Sequence, residues 1–274
     1  MMKMQERQVL LTVVDEKTVN HKAFIVLVKS MKRRSVDIFN EILVLYPNHI
    51  NLPESFIVTL SNLGVKCRGY RRVFKDDPYG VKFLISSFIE DIGHEFDTIV
   101  YADPDHVAFK SMSIRSQEKA FLISSEVEKL SEKDRVALDS VGYLGVDNHY
   151  NTSLIIGKYK EWVNITEKWR KVYLDIKDVI DFRFREEIAF SISVLQEGLS
   201  LVPVSSEVQG NFQNNYMDCE IFHYGGCYRE AMSIKSAIDM ENNSLLIDQC
   251  VENGVDEDRR KIIEKIDRFL SIIR

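Results

Sequence analysis

Early in the chain, short unbroken apolar runs alternate with longer stretches in which apolar residues recur every three or four positions. Residues 9–14, Val-Leu-Leu-Thr-Val-Val, read as a strand buried on both faces of a parallel sheet. From about 20 to 32, after Asn20 as a cap, Ala23, Phe24, Val26, Leu27 and Met31 recur at helical spacing. A second strand is expected at 42–46, stopped by Pro47, then a helix from Pro53 to about Leu63, closed by Gly64. Residues 65–70 read as a short third strand and 76–80 as a turn. A helix is expected over 81–92, with Phe83, Leu84, Phe88 and Ile92 on its apolar side. The run 96–102 is a fourth strand and leads into Asp103-Pro104-Asp105. Strand and helix thus alternate three times before Asp103. That pattern specifies an α/β fold: a mostly parallel sheet with covering helices and right-handed crossovers.

Further on, the pattern loosens. Residues 120–127, 143–146, 151–156 and 199–204 read as strands, with Gly157 ending the third of these. The charged stretch 128–140 reads as a helix or a loop. A helix over 161–173 places Trp162, Ile165, Trp169, Val172 and Tyr173 on one side, a core stripe. A second helix over 186–196 buries Ile188, Ala189, Ile192 and Leu195 and stops at Gly198. Residues 221–224 lead into Gly225-Gly226. The stretch 256–274 carries the stripe Ile262, Ile263, Ile266, Phe269, Leu270 and Ile273, expected to pack on the main domain. The organisation read from this is a main domain over 1–230 and a helical extension over 231–274. There is no internal repeat and no low-complexity linker.

Composition narrows the classes. A net charge of -6 argues against a general nucleic-acid binder. The cluster Lys29, Lys32, Arg33 and Arg34 reads as a solvated helix end. Cys67, Cys219, Cys227 and Cys250 form no Cys-x-x-Cys pair, so reduced thiols and a cytoplasmic location are expected. No apolar run approaches a membrane span, and 9–14 is too short for a signal-peptide core. The Asn-x-Ser/Thr matches at Asn151, Asn164 and Asn242 are then chance matches.

The candidate chemistry sits at the end of the fourth strand. Strand alternation would send Asp103 and Asp105 to one side, and Pro104 stops the strand between them. Two hard oxygen ligands at a strand's carboxyl end suit a divalent cation that also holds a diphosphate. Open α/β sheets bind ligands at that edge. The competing reading is a plain turn, since Asp and Pro both favour turns. The Gly-x-Gly-x-x-Gly fingerprint and the Gly-x-x-x-x-Gly-Lys loop are both absent. A nucleotide site here would need a metal in place of a glycine-rich anion cradle.

Three separated pieces together resemble the GT-A fold glycosyltransferases, most closely the glycogenin-like type that uses nucleotide-diphosphate sugars. Tyr101-Ala102-Asp103-Pro104-Asp105 is similar to that family's strand and D-x-D motif. Asn151-Thr152-Ser153-Leu154-Ile155-Ile156 is similar to its N-S-G strand, and His223-Tyr224-Gly225-Gly226-Cys227-Tyr228-Arg229 to its H-x-x-G-x-x-K motif. Order and approximate spacing agree over about residues 9–230.

The resemblance implies roles by position. Asp103, Asp105 and His223 would hold Mn²⁺ or Mg²⁺, with Asp103 also near the donor ribose. A mixed carboxylate and imidazole set is more natural for Mn²⁺. Val13, Val14 and Asp15 would hold the nucleobase and ribose. Lys82, Gly226 and Arg229 would face the donor phosphates, with Arg229 standing where the family has Lys; a solvent-facing helix lysine is the competing reading of Lys82. Glu186 and Glu187 resemble an acidic helix start, often Asp-Gln, that approaches the sugar or the acceptor, and Asn151 would contact the same region. A helix dipole accounts equally well for the two glutamates. Thr18, where the family has a base-stacking aromatic residue, and Ser153, where it has Gly, depart from the pattern. The implied activity is transfer of a sugar, with retention, from a nucleotide-diphosphate sugar such as a UDP-sugar to a hydroxyl acceptor. Oligomeric state is left open. Two other readings compete: a non-catalytic scaffold that kept the fold, and a sugar nucleotidyltransferase. The second lacks its Gly-rich, Arg-containing loop at Asp15-Glu16-Lys17.

Overall fold

The computed structural model describes residues 6–16, 23–35, 38–75, 77–113, 115–211 and 218–223. Alternation of strand and helix opens the chain as its pattern predicts. The order is β1 (Gln8–Val13), α1 (Ala23–Arg34), β2 (Glu41–Pro47), α2 (Glu54–Asn62) and β3 (Lys66–Tyr70). A 3-10 turn (Pro78–Phe83) runs into α3 (Leu84–Ile92), followed by β4 (Thr98–Ala102). Then come β5 (His106–Ala108), β6 (Ala120–Ile123), β7 (Val127–Lys129), α4 (Glu132–Ser140), β8 (Asn148–Tyr150) and β9 (Leu154–Lys158). Helices α5 (Tyr159–Ile176) and α6 (Phe182–Gln196) precede β10 (Ser200–Pro203), β11 (Gln209–Asn211) and β12 (Ile221–His223).

Seven strands form the central sheet in the order β10-β6-β9-β4-β1-β2-β3. Strand β9 runs antiparallel to β4 and β6, while the other neighbours pair in parallel. The order reverses between β1 and β4, because β1 leads outward to β2 and β3 while β4 is laid on its other side. Such a switch point opens a crevice at the carboxyl ends of the two strands. A smaller sheet, β11-β12-β5, borders that edge through β5, which follows β4 directly.

Alternation along the strands divides the core into two layers. Val9, Leu11, Val13, Leu43 and Leu45 face Phe83, Phe88, Trp162, Trp169 and Phe190 from α3, α5, α6 and the 3-10 turn. Leu10, Ile42 and Val44 face Phe24, Leu27, Phe56 and Leu60 from α1 and α2. Each such side chain, fully buried, contributes about 1.5–3 kcal/mol of transfer free energy. Both tryptophans are core, as their spacing predicts.

Several local expectations are corrected. Gly157 lies inside β9 instead of ending it, because Phe121 of β6 packs where a Cβ would stand. The run 120–127 splits: β6 stops at Ile123 and β7 begins at Val127 in a separate two-stranded sheet with β8. That hairpin uses Asn148–Tyr150 and not 143–146, where Gly142 and Gly145 with positive φ make turns. The charged stretch resolves as helix α4, started by Ser131, whose hydroxyl accepts from Asp134 N at 3.1 Å. Leu195, expected in the core, is 52% exposed. The extension over 231–274, Thr18, Gly226 and Arg229 lie outside the described residues. No helix among the described residues is long and apolar enough to cross a membrane.

Candidate active site at the sheet switch point

Strand β1 delivers Val13, Val14 and Asp15 to the crevice, with Val14 N donating to Leu45 O at 2.9 Å. Strand β4 ends at Ala102, one residue before the carboxylates, so strand alternation no longer governs where they point. The turn is tied to the start of β9 by Asp103 N donating to Ser153 O at 2.7 Å. Asp103 and Asp105 meet different partners. The Tyr101 hydroxyl donates to Asp103 Oδ1, and Lys82 Nζ lies 3.4 Å from the same oxygen. Asp105 is buried, with Oδ1 3.5 Å from His223 Nε2.

The next residue, His106, closes this corner. Its ring stacks on that of His223 with centroids 4.6 Å apart and planes 13° apart. Gln209 Oε1 accepts from Ser125 N at 2.9 Å, which turns the Gln209 amide nitrogen toward His106 Nε2, also at 2.9 Å. Nε2 therefore accepts, and Nδ1 donates to the Asp103 carbonyl at 2.9 Å. Burial, helped by the charge of His223, pushes the His106 pKa down to about 3 against the pull of Asp105, so the ring stays neutral. His223 goes the other way. Burial lowers its pKa, but the carboxylates of Asp105 and Glu126 outweigh that and push it up to about 10.

Asp105, His106 and His223 each offer a ligand atom within 4.8 Å of the others. Both nitrogens of His106 already hold hydrogen bonds, so Asp105 and His223 are the two donors that fit a cation. A carboxylate with an imidazole is a donor set compatible with Mn²⁺. Asp103 is not one of the three, its carboxylate being held by Tyr101 and Lys82.

Lys82 is buried and is no solvent-facing helix lysine. Its position comes from Asp77, whose carboxylate caps the 3-10 turn at Tyr79 N (2.9 Å), takes Arg185 at 3.0 Å and accepts from the Tyr173 hydroxyl. That clamp fixes the turn against α5 and α6. Lys82 Nζ then donates to Thr152 Oγ1 at 2.8 Å and lies 3.3 Å from Glu186 Oε2. Burial lowers the lysine pKa, but Asp103, Glu186 and Glu187 outweigh it and hold it well above the usual value. Glu186 is 1% exposed and accepts from the Thr152 hydroxyl at 2.7 Å. Burial pushes its pKa up to about 7 despite Lys82. Its other oxygen, Oε1, is buried with no hydrogen-bond partner among the described residues. Glu187 turns elsewhere, with Oε2 3.1 Å from His149 Nδ1. Asn151 Oδ1 accepts from Ser153 N at 2.8 Å and shapes the turn into β9.

Among solved structures, the galactosyltransferase LgtC in complex with donor and acceptor sugar analogues matches with a TM-score of 0.58. The match covers 80% of this chain and 87% of that one at 14% identity. An active-site Gln-to-Glu mutant of LgtC matches with a TM-score of 0.57, also at 14% identity. The chain has the GT-A fold. No family model matches it, and no curated protein matches it in sequence.

In this GT-A sheet, every described residue that the sequence singled out belongs to one edge or to the helix flanking it. Asp103, Lys82 and Glu186 form one group of contacts and Asp105 with His223 another; Asn151 and Glu187 border them, and Val13 ends the neighbouring strand β1 with Val14 and Asp15 just past it. Sequence reasoning missed Tyr101, Glu126, His149, Thr152 and Gln209. Thr152 lies within the quoted Asn-Thr-Ser piece, and its place beside a strand start is the signal that pointed to it. Tyr101 likewise lies within the quoted Tyr-Ala-Asp piece, two residues from its partner Asp103, while Glu126, His149 and Gln209 are joined by contacts distant in sequence.

Proposed function

We propose that this chain is a metal-dependent glycosyltransferase that moves a sugar, with retention, from a nucleotide-diphosphate sugar to a hydroxyl acceptor. The observation that carries the reading is the buried Asp105–His223 pair, 3.5 Å apart, at the switch point of a GT-A sheet. The donor and acceptor sugar analogues bound by LgtC support it, as does the ordered set of motif pieces. UDP is the nucleotide assigned by the resemblance.

Asp105 and His223 would hold the cation, with Asp103 as a second carboxylate at the same turn. Mn²⁺ or Mg²⁺, when bound, supplies Lewis-acid neutralisation of the leaving diphosphate. Val13, Val14 and Asp15, at the end of β1, take the nucleoside. Lys82 adds a fixed positive charge that needs no reorganisation as negative charge develops on the departing phosphate. Gly226 and Arg229 are assigned to the same phosphates. Glu186 Oε1, buried and without a partner among the described residues, accepts a hydroxyl of the bound sugar. Glu187 and Asn151 border the space left for the acceptor.

Calorimetric titration of UDP, with GDP as comparison, in Mn²⁺ and then in EDTA tests this. Metal-dependent binding that disappears in Asp105→Ala and in His223→Ala is the expected result. A folded protein with no nucleotide affinity under either metal condition sinks the transferase reading and leaves a scaffold that kept the fold.

A further inference from the structure

His223 presents its two ring nitrogens to two carboxylates. Nε2 lies 3.5 Å from Asp105 Oδ1, and Nδ1 lies 3.7 Å from Glu126 Oε1. The two nitrogens of an imidazole point away from each other. A cation shared by Asp105 and Nε2 therefore sits on the side of the ring opposite Glu126. Consistent with that, Glu126 is not in the group formed by Asp105, His106 and His223. Glu126 is itself well fixed, between β6 and β7. Asn211 Nδ2 donates to its Oε1 at 2.5 Å, and its carbonyl accepts from Asn151 N at 3.1 Å. Its neighbour Ser125 is tied through N and hydroxyl to Gln209 at 2.9 and 3.1 Å. Only 12% of the Glu126 side chain is exposed, so solvent screens its charge weakly.

The geometry points to Glu126 as a positioning residue: its carboxylate, 3.7 Å from Nδ1 of His223, draws the ring proton to that nitrogen by its charge and so leaves Nε2 for a divalent cation beside Asp105. This rests on the metal-dependent reading above. A ligating histidine has two tautomers, and only the one with its proton on the far nitrogen can bind metal through Nε2. When a cation takes the place of the Nε2 proton, a carboxylate facing Nδ1 keeps the remaining proton on that nitrogen and fixes the ring for ligation. His106 cannot substitute, because face-to-face stacking fixes the plane of the His223 ring but not the place of its proton. Glu126 thus links the Asn151 turn, β11 and His223, three pieces widely separated in sequence.

The test uses the full chain with Mn²⁺ as probe and UDP present throughout, following the electron-paramagnetic-resonance signal of free Mn²⁺. Glu126→Gln keeps the shape of the side chain and its contact with Asn211 while removing the charge. Removing such an outer partner typically weakens metal affinity 10–100-fold, and Glu126→Gln is expected to fall in that range with the metal-free melting temperature unchanged. In a His223→Gln background the same change is expected to cost nothing further, since the effect runs through His223. Wild-type affinity in Glu126→Gln overturns the inference, as does a full additional loss in the double variant. A wild-type protein that binds no Mn²⁺ overturns the metal-dependent reading and this inference with it. Tight wild-type binding beside an unaffected Glu126→Gln removes only the inference.

Discussion

Glu186 is an acid in surroundings that favour its neutral form. Its pKa rises from an ordinary 4.5 to about 7, because burial outweighs the attraction of Lys82. The fold therefore binds that proton more tightly than the unfolded chain does. This contribution to stability is full below about pH 4.5 and is lost as pH rises through about 7. The span between the two values sets a ceiling of roughly 3 kcal/mol. Glutamine cannot ionise, so Glu186→Gln should gain stability relative to the wild type between pH 5 and pH 8. Urea denaturation at the two pH values measures the difference, and parallel pH dependence in both proteins would show that the proton lies elsewhere. At this scale the sequence was readable where a motif carries its own chemistry: Asp105, His223 and Lys82 were singled out by type and position. It was silent on Glu126 and His149. Each is an ordinary residue whose role exists only through a partner brought to it by the fold.

Strand β9 shows what a single element demands. Its central position between β4 and β6 leaves no room over Gly157, where an added Cβ would meet Phe121 Cε1 at 2.3 Å and Cδ1 at 2.5 Å. Those atoms belong to a fully buried ring packed edge-on against Trp162 and Phe190, which cannot withdraw without disturbing the core. Gly157→Ala should cost about 1–3 kcal/mol, the usual penalty for overpacking, visible as a lower melting temperature. An unchanged melting temperature would mean that the ring moves freely. The same glycine misled the sequence reading, because a glycine after an apolar run looks like a strand end. Strands β1, β2 and β4 were legible since they are buried on both faces and therefore continuously apolar. Strands β5, β11 and β12 span three residues each and are too short to show a period.

For the molecule as a whole, alternating strand and helix was enough to specify a parallel sheet, because only crossover helices can return the chain to the same edge. The reversal at β9 and the order of the strands were not legible, since pairing is settled by contacts that one sequence does not display. The assembled edge makes a global prediction. A ligand that binds only the folded state stabilises it in proportion to the logarithm of its concentration, by about 2.7 kcal/mol at one hundred times its dissociation constant. UDP with Mn²⁺ should raise the melting temperature by several degrees, EDTA should cancel the rise, and Asp105→Ala should abolish it. A rise that survives EDTA would separate nucleotide binding from the metal.

The small sheet β11-β12-β5 has a consequence in time. Asp105 leaves the ribosome just after β4, whereas His223 emerges on β12, after every strand of the central sheet has been made. On the metal-dependent reading proposed above, the nascent chain can complete its seven-stranded scaffold while one of the two proposed cation donors is still missing. Until β12 inserts between β11 and β5, a chain that is otherwise built would lack the proposed ligand pair, so on that reading capacity for the cation would report that synthesis has passed β12.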